Sequence, residues 1–220
     1  MENSALQINA APGLRGWAGL AILSLAIAGV FAFLLAVSRI PGIEKILPWP
    51  LDFFARGLVI HVVFSFIVWF LAVFGAILSI ATARLSGPQT SGPWLEMILL
   101  AVAYASTVML FAPAFMNNGE ATLNNYIPAI TDPLYYAGLA ALGGSLGVMA
   151  LRLLAATAGS LGRWKEPLCF GALTAALLYL LALAEFAIAA GRLSGEKLSY
   201  EFNEALFWGG GHTLQFVNLA

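Results

Sequence analysis

The chain has 220 residues, of which 61% are hydrophobic and only 10% are charged, and its formal net charge is -1. So few charges cannot cover the surface of a soluble domain, so the composition predicts a protein that has the lipid bilayer as its solvent. The small net charge, with no basic run, argues against nucleic acid as a partner. One cysteine, Cys169, excludes an internal disulfide and any cysteine-rich metal site.

Apolar runs of roughly 20 residues, which is long enough to cross a hydrocarbon core of about 30 Å, recur along the chain. Each run is predicted to be a helix, because backbone polar groups must be satisfied internally in lipid. We therefore expect an all-α fold, a polytopic transmembrane helix bundle with six spans in a single domain, residues 1–220. The approximate bounds of the spans are 16–38, 53–83, 94–115, 134–158, 168–190 and 201–220. The sixth run is still apolar at Ala220, so the domain is expected to be incomplete at its C-terminus.

The connecting segments encode the orientation of these spans weakly. Lys and Arg are divided equally between the two sides of the predicted membrane, whereas most acidic residues lie on the side opposite the N-terminus. The loop of residues 117–133 contains no Lys or Arg, which is typical of an outer face. We expect an integral protein of the bacterial inner membrane with its N-terminus in the cytoplasm.

The chain contains two histidines, His61 in the second predicted span and His212 in the sixth. A single histidine within a span can simply form a hydrogen bond to a neighbouring helix. Both residues, however, lie about 12–16 Å from the same side of the membrane at a rise of 1.5 Å per residue. Since ionisable groups in a membrane interior usually serve a function, the pattern favours two ligands in a shared layer.

Haem is the cofactor that His61 suits best. Zinc or copper bound by this chain alone would need further histidines or cysteines, whereas haem iron needs only one or two axial ligands. Gly57, Ser65 and Trp69 share a helical face with His61, and their small and aromatic side chains suit a flat macrocycle. An ordinary helix–helix contact would have a similar sequence, and it is kept as the alternative.

Three consecutive glycines, Gly209–Gly211, precede His212. Each would destabilise an exposed helix by about 1 kcal/mol relative to Ala. In a membrane they allow a helix or a bulky cofactor to approach the backbone, and they also permit a local bulge that redirects the His212 side chain. The alternative is a glycine-mediated helix contact without a cofactor.

Two further polar residues are candidates for the site. Glu185 lies within the fifth span, where an unpaired carboxylate is costly. It is predicted to belong to a proton path or metal site, or else to be a neutral carboxyl group bonded to a neighbouring helix. Arg56 lies five residues before His61 and would either pair with a haem propionate or extend its side chain to the interface.

The segments "RGLVIHVVFSFIVWFLAVFGAI" and "FWGGGHTLQF", together with their separation in the chain, resemble subunit I of the haem-copper oxidase superfamily. That superfamily includes the C-type oxidases and their nitric-oxide-reductase relatives. The resemblance covers the whole chain, but this corresponds only to the first half of a twelve-helix subunit.

The resemblance implies a role for each histidine. His61 matches the axial ligand of the low-spin haem, a b-type or related haem, and His212 matches a ligand of the active-site copper. Arg56 is then the candidate for the haem propionate. Many oxidases of this superfamily have Glu two residues and Tyr four residues after the copper ligand. Here these positions are Leu214 and Phe216, which favours the C-type or reductase-like branches, or a divergent member.

The resemblance also implies a function. By this resemblance, the chain is expected to be part of a respiratory terminal oxidase. Such an oxidase passes electrons from a low-spin haem to a haem and copper centre, where dioxygen is reduced to water. This chain alone lacks the other ligands, which are expected from the remaining half of subunit I or from partner subunits, with a c-type cytochrome as a candidate electron donor. The alternatives are a nitric oxide reductase-like subunit, a non-catalytic b-type cytochrome or assembly factor that binds haem through His61, and a scaffold or transporter without a cofactor.

Overall fold

The computed structural model describes residues 13–46, 53–86, 92–116, 118–160 and 162–220. Most of these residues belong to six long helices, so the predicted helix bundle is confirmed. The helices are α1 (Leu14–Val37), α2 (Phe53–Ser86), α3 (Pro93–Met116), α4 (Pro133–Ala156), α5 (Pro167–Arg192) and α6 (Tyr200–Val217). Their bounds agree with the predicted spans to within about three residues at most ends.

Five of the helices, α1 to α5, are long and apolar enough to cross a bilayer, which makes the chain an integral membrane protein. Helix α6 has 18 residues and begins with the polar segment of Glu201, Asn203 and Glu204. It does not reach the same hydropathy, and the sixth span therefore stays a prediction.

Helix α2 is the centre of the bundle. It packs against α1, α4 and α5, while α3 pairs with α4 and α5 pairs with α6. Half of its most apolar window is buried inside the protein, compared with one third for α1 and α5. Gly75 of α2 allows the ring of Trp17 in α1 to pack on its backbone, since a Cβ atom there would lie 2.6 Å from the ring. Most of the outer surface of α1 and α5 is left for lipid.

A π-helical segment, Val63–Val68, interrupts α2 directly after His61. The backbone N–H of Trp69 donates to the carbonyl of Phe64, five residues earlier, and the Ser65 hydroxyl donates to the carbonyl of His61 at 2.6 Å. The bulge predicted at the three glycines is wrong, because α6 is a continuous α-helix through them. The irregular turn lies beside the other histidine, and such π-bulges are frequent at functional sites.

The connection between α3 and α4 contains a feature that the sequence did not predict. Two short strands, β1 (Ala121–Thr122) and β2 (Ala129–Ile130), pair antiparallel with Ala121 opposite Ile130. Ile127, Ala129 and Ile130 are buried. The hairpin packs on the first turns of α2, so this connection is an ordered part of the bundle.

Candidate functional site

His61 lies eight residues after the first residue of α2 and is half-buried. Its Nδ1 atom is 2.9 Å from the carbonyl oxygen of Ala28 in α1. A carbonyl oxygen only accepts, so Nδ1 carries the proton and donates this bond. In the neutral ring the lone pair is then on Nε2, and within the described residues Nε2 has no hydrogen-bond partner.

His212 lies on α6 and is exposed. Its Nδ1 atom is 2.8 Å from the carbonyl oxygen of Trp208, one turn earlier in the same helix, so here too Nδ1 donates. The hydroxyl of Tyr126, in the connection between α3 and α4, lies 2.6 Å from Nε2 and donates to it. The rings of Tyr126 and Trp208 also contact the imidazole, with centroids at 4.5 Å and 4.7 Å.

The two histidines therefore have the same tautomer, with the proton on Nδ1 and the lone pair on Nε2. Histidines that bind metals usually donate their other ring nitrogen to a carbonyl or carboxylate, which fixes the ring and raises its basicity as a ligand. His61 and His212 both have this hydrogen-bonding pattern of a metal-binding histidine. His61 offers Nε2 directly, whereas His212 can bind a metal only if the Tyr126 hydroxyl leaves Nε2.

No contact among the described residues joins the two histidines. His61 is eight residues into α2 and His212 twelve residues into α6, which corresponds to depths of about 12 Å and 18 Å. His61 forms its hydrogen bond with α1, and His212 forms one with the α3–α4 connection. Their sequence neighbours Val62 and Gly211 nevertheless line the same cavity. The shared ligand layer stays a prediction. Within the described part of the chain, no group of three or more His, Cys, Asp or Glu side chains could hold a metal.

The glycines before His212 differ in their surroundings. A Cβ atom on Gly210 would lie 2.6 Å from the ring of Phe186 in α5, and one on Gly211 would lie 2.8 Å from Tyr126. A Cβ atom on Gly209 would meet nothing closer than Glu185 at 3.9 Å. Close packing of protein side chains thus explains Gly210 and Gly211, in agreement with the alternative of a glycine-mediated contact.

Glu185 is half-buried on α5 and lies close to the His212 segment. The hydroxyl of Thr213 on α6 donates to Oε2 of Glu185 at 2.7 Å. This bond joins two neighbouring helices, and the neutral state expected for a carboxyl group with such a bond stays a prediction. A role of Glu185 in a proton path stays a prediction.

Arg56 is only 7% exposed, and the alternative that its side chain extends to the interface stays a prediction. Its Nη1 atom donates to the carbonyl oxygens of Pro113 at 3.1 Å and Asn118 at 3.0 Å, and Nη2 donates to Gly119 at 2.5 Å. Arg56 thus ties α2 to the end of α3 and the connection that follows. A haem propionate would have to bind the buried Nε–H or the second N–H of Nη2, neither of which has a partner among the described residues, or displace a carbonyl. This contact stays a prediction.

The α3–α4 connection is also tied to α6, which the sequence analysis missed. Glu204 accepts from the Asn124 side chain at 2.9 Å and from the backbone N–H of Asn125 at 3.2 Å. Asn203 donates to the hydroxyl of Thr122 at 2.7 Å. The only signal in the sequence was an excess of amide side chains in both segments, and such pairing between distant segments has no periodicity that could reveal it.

Comparisons with known proteins show relatives of greater length. The chain is 29% identical over 202 residues to an uncharacterized protein of Aquifex aeolicus, covering 92% of this chain and 49% of the relative. It is 24% identical over 237 aligned positions to an uncharacterized protein of Rickettsia prowazekii, covering 92% of this chain and 44% of the relative. The chain thus spans about half the length of the curated relatives it matches. No family model and no solved structure matches the chain.

Proposed function

We propose that the chain is one half of a membrane protein like subunit I of the haem-copper oxidases, with His61 as the axial ligand of a low-spin haem and His212 as a ligand of the active-site copper. The observation that carries this proposal is the shared tautomer of the two histidines. Each donates Nδ1–H to a backbone carbonyl, Ala28 or Trp208, and keeps the lone pair of Nε2 for another partner.

The residues of this chain would bind and orient the cofactors. When bound, haem and copper would supply electron transfer and the reduction of dioxygen to water. The carbonyls of Ala28 and Trp208 fix the two imidazole rings, and the π-helical turn after His61 sets the direction of α2 beyond it. Glu185, bonded to Thr213 beside His212, is the candidate for proton transfer to this region.

The remaining ligands would come from a second helix bundle. The relatives are about twice as long as the matched region, which supports a complete protein built from this bundle and another one. In the proposed assembly all six helices cross the bacterial inner membrane with the N-terminus in the cytoplasm, a c-type cytochrome donates electrons, and this chain has no activity by itself.

A second candidate is a non-catalytic b-type cytochrome or assembly factor that binds haem through His61 alone. It is favoured by the difference between the two Nε2 atoms. That of His212 already accepts a bond of 2.6 Å from Tyr126, whereas that of His61 has no partner within the described residues. In this case His212 would serve to hold the α3–α4 connection against α6.

Purification from the native membrane distinguishes the candidates. The tagged protein is isolated with its partners in mild detergent, and its optical spectrum, haem content and copper content are measured. For the oxidase we expect low-spin and high-spin haem together with copper, loss of the low-spin signal in His61→Ala, and loss of copper but retention of low-spin haem in His212→Ala. For the cytochrome we expect one low-spin haem without copper, lost only in His61→Ala.

The two variants are controls for each other, since each removes one imidazole from a span. Helix content measured by circular dichroism shows whether each variant is folded. A folded wild-type preparation without colour and without metal contradicts both candidates, and it would leave the histidines as structural hydrogen-bonding groups.

A further inference from the structure

Two cavities lie side by side between α2 and α6. The smaller one, of about 330 Å³, is bounded by α2, by residues 125–127 and by the C-terminal half of α6. The larger one, of about 680 Å³, extends between α2, α4, α5 and α6. Both volumes fall in the range of small-molecule sites. The cavities share four wall residues, namely Ile67, Leu71, Ile127 and Leu214.

The smaller cavity has one polar wall, formed by Asn125, Tyr126, Gln215 and Asn218, opposite apolar side chains of α2. Gln215 and Asn218 line this cavity and are exposed at the surface of the bundle. Their amide groups have no hydrogen-bond partner within the described part of the chain. In the proposed assembly, on which this step rests, α6 crosses the membrane, and Gln215, about 16 Å along α6 beyond Glu204, lies near the middle of a hydrocarbon core of about 30 Å. At this depth an amide that has neither water nor a protein group as its partner is costly, and a polar group of a bound ligand would supply the missing hydrogen bond.

The larger cavity has the opposite character. Its only side-chain polar atoms are the hydroxyls of Tyr136 and Tyr179. Both are already used, since Tyr136 donates to Asn203 at 2.7 Å and Tyr179 donates to the carbonyl of Gly143 at 3.0 Å. A polar group on a ligand in this cavity would therefore find no side-chain donor that is still free to bind it. Among the described residues no charged side chain lines either cavity, so a charged occupant would be buried without a counter-ion from this part of the chain.

We propose that the two cavities together bind one uncharged amphiphile with a single hydrocarbon chain. Its compact head, carrying a hydroxyl or carbonyl group, binds the amides of Gln215 and Asn218 in the smaller cavity. Its tail lies along Ile67 and Leu214, which line both cavities, and occupies the larger cavity. Neither histidine is among the residues that line the two cavities.

Photolabelling of the purified native protein tests the class of ligand. The probe is hexadecanol with a diazirine in its tail, and the charged control is the sulfate ester with the same tail. Since neither cavity offers a counter-ion, we expect the alcohol to label peptides of α4, α5 and α6 at least about fivefold more than the sulfate. Equal labelling of these peptides by both probes overturns the proposal.

Two pairs of variants test the placement of the tail and the head. Gly144 lines the larger cavity and Gly29 lies on α1, and a Cβ atom on either meets nothing within 4 Å. Gly144→Phe should therefore abolish labelling and Gly29→Phe should preserve it. Gln215→Leu should weaken labelling, whereas Phe216→Leu, at an exposed position outside both cavities, should not.

Equal labelling in the two members of either pair overturns the assignment. Circular dichroism of each variant detects loss of the fold, and Gly144→Leu replaces Gly144→Phe if the larger ring unfolds the protein. Lipid extraction of the native protein then identifies the source of the amphiphile. A neutral monoacyl lipid or a polyprenyl quinone supports the proposal, and charged phospholipid as the sole extract contradicts it.

Discussion

The hydroxyl of Tyr126 donates a hydrogen bond of 2.6 Å to Nε2 of His212, and this bond connects the α3–α4 connection to α6. The same imidazole donates Nδ1–H to Trp208, so both of its nitrogens have partners. Gly211 makes the arrangement possible, because any side chain there would collide with Tyr126. The His212 ring is therefore held in one tautomer and one orientation.

Replacement of Tyr126 by Phe tests this hydrogen bond. The Nε2 atom would lose its donor while Nδ1 keeps the Trp208 carbonyl. We expect the ¹⁵N chemical shift of Nε2 to change and that of Nδ1 to stay, and the free energy of unfolding to fall by about 0.5–1.5 kcal/mol. The control is Tyr104→Phe, whose hydroxyl donates to Gly16 at a distance from the site. An unchanged Nε2 shift in Tyr126→Phe would show that the bond does not form in the membrane.

The three glycines of α6 should respond differently to the same substitution. Gly209→Ala places Cβ at an ordinary van der Waals distance of 3.9 Å from Glu185, so it should stabilise the protein by up to about 1 kcal/mol through helix propensity. Gly210→Ala and Gly211→Ala meet the rings of Phe186 and Tyr126 and should destabilise it by about 1–3 kcal/mol. Denaturant unfolding of the three variants in detergent measures these differences. Equal effects at all three positions would mean that the close contacts relax.

The helices of this protein could be predicted from the sequence because the bilayer sets a simple rule. Apolar runs of the right length have to be helices, since lipid cannot satisfy backbone polar groups. The runs that begin near Phe53 and Leu134 became α2 and α4 with small changes at their ends. The candidate histidines were found for the same reason, since an ionisable residue in such a run stands out.

The partners of the site residues could not be predicted, because they depend on contacts between distant segments. Tyr126 belongs to a loop without any hydrophobic period, yet it binds a residue 86 positions later. Arg56 resembles an interfacial arginine, but it is buried because a loop about 60 residues later brings carbonyl groups to it. The π-helical turn at Val63–Val68 likewise has no sequence marker such as Pro or Gly within it.

Arg56 should be a stabilising anchor of the α3–α4 connection. Arg56→Met removes three hydrogen bonds to carbonyl oxygens, and we expect a loss of about 2–4 kcal/mol in unfolding free energy. Residues 118–132 should also lose protection in amide hydrogen exchange. Arg39→Met is the matched control, since within the described residues the Arg39 guanidinium stacks on Phe54, at 4.3 Å from the ring centroid, and makes no hydrogen bond. If hydrogen exchange in this segment is the same in both variants, Arg56 does not hold it.

A further prediction concerns the charged residues around Glu96, which lie at the end of α3 opposite to the one that Arg56 binds. Glu96 of α3 is 3% exposed, accepts a hydrogen bond from the Ser79 hydroxyl of α2, and lies 3.7 Å from Nη1 of Arg152 in α4. Glu96→Leu leaves the half-buried charge of Arg152 without its ion-pair partner and removes the acceptor of the Ser79 hydroxyl, and should cost about 2–4 kcal/mol. Glu166→Leu, which breaks the more exposed ion pair with Arg84, should cost at most about 1 kcal/mol.

The double variant Glu96→Leu with Arg152→Leu distinguishes the attraction between the two charges from the free-energy cost of burying each charge. Burying two charges is expensive, and their attraction offsets this cost only in part, so an apolar pair of similar size is often as stable as the ion pair. We therefore expect the double variant to recover most of the stability lost in Glu96→Leu. Unfolding free energies of the wild type, both single variants and the double variant complete the cycle. If the double variant is less stable than either single variant, Glu96 stabilises the bundle through Ser79 rather than through Arg152.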